Sequence, residues 1–111
     1  MIGTLASIAG PAFIASSVAN IYTPPASTIY TVIRHIHVVN VTASAVTFTM
    51  YIGATGGSAA GTQLFAGQSV PANSPFDYYC VRKMLSTQFL TAVASSGSSL
   101  VIDVEGEYVV V

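Results

Sequence analysis

Between Ile29 and Ile52 the chain reads IYTVIRHIHVVNVTASAVTFTMYI, two apolar runs parted by Thr42-Ala43-Ser44. In the second run Val46, Phe48, Met50 and Ile52 alternate with Ala45, Thr47, Thr49 and Tyr51, the period of a strand with one buried face. Those four are assigned to the core. Strict alternation in the first run puts Val32, Ile36 and Val38 on one face with Arg34 and Asn40, and Ile33, His35, His37, Val39 and Val41 on the other. The first set is expected to pack against the second strand's core residues, leaving both histidines on the outer face or at a subunit contact. The two runs are read as strands joined by a small-residue turn, whose sheet the rest of the chain completes.

The remaining pattern is also that of short strands and turns. Within residues 1–19, Thr4 to Ile8 and Phe13 to Val18 predict a first strand, or an arm that crosses to a neighbouring subunit's open edge. The latter is favoured because the segment has no charge to keep it solvated. It lacks a basic leader region and Gly10-Pro11 breaks its apolar run, so neither a signal peptide nor a membrane span is expected. Pro24-Pro25 marks a sheet edge or the entry to the long strand, and GATGGSAAG at 53–61 a surface loop. Gln63 to Phe65 reads as a short strand and Val70 to Ser74 as a turn. Phe76, Tyr78 and Cys80 share the face of another strand, and Arg82 to Gln88 reads as a polar connection with room for a helical turn. A strand is expected over Phe89 to Ala94, and a turn over Ser95 to Ser99. In the last strand Leu100, Ile102, Val104 and Tyr108 face inward, opposite an acidic edge of Asp103, Glu105 and Glu107. No sustained helical period occurs. The fold class is therefore all-β, an antiparallel β-sandwich or jelly roll with very little helix, organised as an N-terminal strand or arm over 1–19 and a sandwich domain over 20–111.

Charge sharpens this picture. Only 6% of residues are charged, where an ordinary globular chain has about 25%, so much of the surface is expected to be covered by further copies or by a larger assembly. With three basic residues and a net charge of −1, the chain cannot neutralise a run of phosphates, which excludes nucleic-acid binding.

Candidate chemistry is sparse. A lone Cys80 forms no intrachain disulfide and has no nearby base, so it reads as a buried thiol. The 53–61 loop lacks the lysine of a phosphate-binding loop and the spacing of a nucleophile elbow. His35 and His37 have the His-x-His spacing with which cupin-type sites pair two imidazoles, and Glu105 or Glu107 would add a ligand if the last strand were adjacent. The glutamate such sites place soon after the second histidine is missing from 38–42. The histidines are therefore read as surface or interface residues, with no metal, cofactor or catalytic residue assigned. Asp77, Asp103, Glu105 and Glu107 are read as solvated edge charges rather than acid–base pairs, one of them a partner for Arg34. Tyr22, Tyr30, Tyr51, Tyr78, Tyr79 and Tyr108 are read as core and contact residues before a sugar-stacking platform.

An order of phrases adds a further expectation: Tyr22-Thr23-Pro24-Pro25-Ala26, Val38-Val39-Asn40, Phe48-Thr49-Met50-Tyr51-Ile52, Val70-Pro71-Ala72-Asn73-Ser74 and Val104-Glu105-Gly106-Glu107. In this the stretch 20–107 resembles small β-sandwich virion structural proteins of tailed bacteriophages. The resemblance implies a non-enzymatic viral protein, assembled in the bacterial host cytoplasm and resident in the virion. It would act as a homo-oligomer beside partners such as the major capsid protein, most readily as a capsid decoration protein that stabilises the shell. The alternative is a tail or fibre module that binds host-surface glycan. Neither reading involves a membrane.

Overall fold

The computed structural model describes residues 4–53 and 62–110. Eight strands follow in order: β1 (Thr4–Phe13), β2 (Ala19–Tyr22), β3 (Thr28–Asn40), β4 (Val46–Gly53), β5 (Gln63–Val70), β6 (Pro75–Leu85), β7 (Phe89–Ala94) and β8 (Leu100–Val110). They form two four-stranded antiparallel sheets, β1-β8-β3-β6 and β2-β7-β4-β5. Pairs 4-5, 3-6, 2-7 and 1-8 nest inside one another and alternate between sheets, the winding of a jelly roll. No helix occurs among the described residues, and so none long and apolar enough to cross a membrane.

The alternation in β4 holds: Val46, Phe48, Met50 and Ile52 are buried between the sheets, while Thr47, Thr49 and Tyr51 point outward. In β3 it does not hold throughout. Thr31 and Ile33 are buried, then Ile36, Val38 and Asn40, so the inward set skips a residue. The cause is a β-bulge: Ile33 and His35 face the consecutive residues Gly106 and Glu105 of β8, leaving Arg34 as the extra residue. Ile33, not Val32, is therefore the core residue, and Arg34 and His35 both turn outward. Matching irregularities lie at Ser7/Ala9 of β1 against Glu105 and Val104, and between Tyr79 and Arg82 of β6.

Strands β3 and β4 are not neighbours in one sheet. They lie in opposite sheets and their apolar faces meet across the core. The corner between them is held by buried Asn40, whose side-chain amide donates to the carbonyls of Ser44 (2.8 Å) and Val70 (3.0 Å). Its Oδ1 accepts the Thr42 backbone N–H (2.9 Å) and hydroxyl (2.7 Å).

Three further expectations change. Thr4–Phe13 pairs along its length with the chain's own β8, as an edge strand of its own sandwich rather than an arm laid on a neighbour. Arg82 to Leu85 continues β6, so the connection shrinks to the turn at 86–88. And β8 lies between β1 and β3, so Asp103, Glu105 and Glu107 occupy the middle of a sheet face, not its edge.

Two substitutions test this architecture. A β-carbon at Gly106 would collide with the Val32 carbonyl at the bulge, so Gly106→Ala is expected to cost about 1–3 kcal/mol through forced backbone displacement. Asn40→Ala removes four polar contacts at a buried corner and should cost a similar 1–3 kcal/mol, roughly the penalty for orphaned buried partners. Urea unfolding of each variant measures both losses; an unchanged midpoint for either would remove that feature from the account.

Candidate functional site: a histidine–carboxylate cluster

The outer face of the β8-β3-β6 strands gathers the polar chemistry. Because β3 is paired on both sides, His35 has Tyr79 of β6 and Glu105 of β8 as cross-strand neighbours, and His37 has Asp77 and Asp103. Alternation with buried Ile36 and Val38 sets both rings on this outward face, and the bulge allows it while Ile33 stays buried. One oxygen of Asp77 accepts from both histidines, from Nε2 of His35 at 2.8 Å and from Nδ1 of His37 at 2.6 Å. The other nitrogen of His35, Nδ1, lies 3.2 Å from Glu105 Oε1. Tyr79 stacks flat on the His35 ring, with centroids 4.3 Å apart and planes 2° from parallel. Beside this group Arg34 donates to Glu107 at 2.8 Å, the ion pair expected for that arginine.

The electrostatics follow from the geometry. Partial burial alone would lower the pKa of His35, but hydrogen bonds to Asp77 and Glu105, together with their charges, outweigh it and raise it above the ordinary 6.5. A doubly protonated ring satisfies both carboxylates at once. Asp77 is held below the ordinary 3.8 by its hydrogen bond from His37 first and that from His35 second.

Other candidates stay apart. Cys80 is half-buried with its thiol toward the Ile33 carbonyl at 3.4 Å, and desolvation raises its pKa against the opposing charge of Arg82. That suits a packing thiol. Of the six tyrosines only Tyr79 is exposed, so they present no shared platform. The loop 53–61 lies outside the described residues beyond Gly53. A shallow depression of 220 Å³, lined by Thr47, Thr49, Val93 and Ser95 among others, opens on the β2-β7-β4-β5 sheet and contains no titratable side chain.

Of the two glutamates that sequence reasoning offered as alternatives beside the His35/His37 pair, the structure brings Glu105 to His35, while Glu107 engages Arg34. Sequence reasoning overlooked Asp77, the residue on which both histidines converge. The available signal was the outward alternation Asp77-x-Tyr79, which mirrors His35-x-His37 once β6 is laid beside β3. Neither family models, nor curated protein sequences, nor solved structures provide a match to this chain.

The linked protonations predict a stability window. A raised His35 pKa stabilises the fold fully below 6.5, and this is lost as pH rises through the raised value; a lowered Asp77 pKa stabilises it above 3.8, and this is lost as pH falls through the lowered value. The stability gap between the native chain and Asp77→Asn should therefore be widest between those two ordinary values and narrow on either side. Urea unfolding across the pH range, with EDTA present to keep cations off the rings, checks this; a gap independent of pH would contradict it.

Proposed function

We propose that the chain is a non-enzymatic structural protein of a tailed-phage virion that works as a homo-oligomer, most readily as a capsid decoration protein seated on the major capsid protein. The observation that carries this reading is the distribution of charge. All three basic and all four acidic residues lie on β3, β6 and β8, and the β2-β7-β4-β5 sheet and every turn have none. A free-standing soluble domain keeps both signs of charge spread over its surface. Here one whole face is uncharged, with Thr47, Thr49, Tyr51, Val93 and Ser69 among its outward residues. Desolvating such a face against a protein neighbour costs no buried charge.

The sheet edges support the same reading. β1 and β6 are long edge strands with bare apolar side chains, Leu5 at 77% and Val81 at 78% exposure, and open apolar edges invite contact with another chain. Jelly rolls serve in viral capsids, lectins and cupins alike, so fold by itself does not choose among these. The uncharged face favours the assembly role, and the dispersed tyrosines offer little to a glycan.

Sedimentation velocity of the full chain is expected to show a defined oligomer at micromolar concentration. The double variant Thr47→Lys, Ser69→Glu sets opposite charges on cross-strand neighbours, which the sheet tolerates but a dry interface does not. It should stay folded and dissociate. The chain should also be present at fixed copy number in phage particles purified from the strain that encodes it. A native chain that sediments as a monomer and is missing from such particles would refute the proposal.

A further inference from the structure

From the geometry of the outer face of β3 we infer a binding site for a divalent transition-metal cation of the zinc class, with His35, His37 and Asp77 as ligands and Glu105 as the residue that positions His35. The inference does not depend on the assembly role, whose uncharged contact face is the opposite sheet.

Donor atoms and spacing carry the argument. His35, His37 and Asp77 each offer a donor atom within 4.8 Å of the other two, and Nε2 of His35 and Nδ1 of His37 are the ring nitrogens turned to the Asp77 carboxylate. Zinc bonds of 2.0–2.1 Å in a tetrahedron separate its donors by about 3.4 Å. To open such a cage the Asp77 oxygen has to back away from its present 2.8 and 2.6 Å contacts by roughly 0.6 and 0.8 Å, and donors now as much as 4.8 Å apart have to close to about 3.4 Å. Rotation of these partly exposed side chains supplies that movement with the backbone fixed. The cation then replaces the protons through which the two rings now bind Asp77: His35 releases one to solvent, and the His37 proton moves to Nε2.

Residues around the three ligands suit the same purpose. Glu105 faces the far nitrogen of His35 at 3.2 Å, and a carboxylate there keeps the remaining proton on Nδ1, so that the Nε2 lone pair is free for the metal. Tyr79, stacked on the ring, fixes its plane. Asp103 lies beside His37 in register, so three carboxylates surround two imidazoles, and Arg34, the residue before His35, is already engaged by Glu107. Two nitrogens and one oxygen match zinc, cobalt or nickel, whereas magnesium and calcium want oxygen throughout. All the ligands stand on paired strands, β3 at the centre and β6 beside it, a rigid mounting of the kind such sites need. With three protein ligands the fourth position is open to water or to a donor from outside the chain.

The test uses the full chain without a polyhistidine tag, stripped with chelator. Titration calorimetry with zinc chloride should give one site per chain, and added cobalt(II) should develop the intense visible bands of four-coordinate geometry. His37→Gln and Asp77→Asn, each checked for native circular dichroism, should abolish the bands. Glu105→Ala should weaken zinc about 10–100-fold while leaving the band positions in place, and Glu105→Gln, which keeps an acceptor for Nδ1–H, should restore most of the affinity. Glu107→Gln should bind like the native chain. No stoichiometric zinc event, cobalt bands like those of the free aqueous ion, or unchanged binding in both His37→Gln and Asp77→Asn would each overturn the site.

Discussion

The whole molecule turns on one displaced residue. The core needs Ile33 and Ile36 on the same side of β3, yet their spacing is odd and strands alternate. The bulge at Arg34 reconciles the two demands, and Gly106 opposite makes it possible by letting the Val32 carbonyl approach where a side chain would block it. With that step in place, Arg34, His35 and His37 all face solvent, and each meets its partner on an adjacent strand. An unbulged β3 would either bury Ile33 and turn both histidines toward the core, or bury Ile36 and turn Arg34 toward the core with Ile33 left outside. Packing and polar chemistry are thus two results of one backbone irregularity.

The two sheets divide the labour of the surface. One holds every charge in the chain, arranged as pairs and a cluster on three contiguous strands; the other holds none. Charges solvate a face and resist its burial, while hydroxyls, small apolar groups and an occasional ring can pass from water to a protein contact at lower cost. The jelly roll keeps the two surfaces a full sandwich apart, so that a contact on one leaves the histidines of the other open to solvent.

Much of this was legible in the chain and some was not, for physical reasons. β4 follows from its alternation alone because it is regular and central. The faces of β3 do not, since a bulge conserves composition and changes only register. A period-2 pattern says that a strand exists but not which sheet receives it, so the jump from β3 to β4 across the core looked like a turn within one sheet. Arg82 and Lys83 suggested a loop by their charge, although at a sheet edge they are exposed within a strand, with Lys83 4.9 Å above the Tyr30 ring. The histidine cluster was half visible. Spacing flagged His35 and His37, but Asp77, some forty positions away in the chain, becomes their neighbour only through the 3-6 pairing, which no local signal encodes.

The corner around Asn40 has a meaning for how the sandwich comes together. Its amide and the backbone beside it tie positions remote in the chain, with Asn40 N–H reaching Ser74, Val41 N–H reaching Ser99, and Asn73 N–H reaching Thr42, at 2.9, 3.0 and 3.0 Å. Each tie closes a loop of some thirty to sixty residues, and closure entropy has to be met before any of these bonds gives a return. The first two extend the β3-β6 and β3-β8 ladders of one sheet, and the Asn40 side-chain amide on the Val70 carbonyl ties that sheet to the end of β5 in the other. The corner therefore couples the register of one sheet to the position of the other, so that neither can shift at this end of the sandwich without breaking bonds held by Asn40.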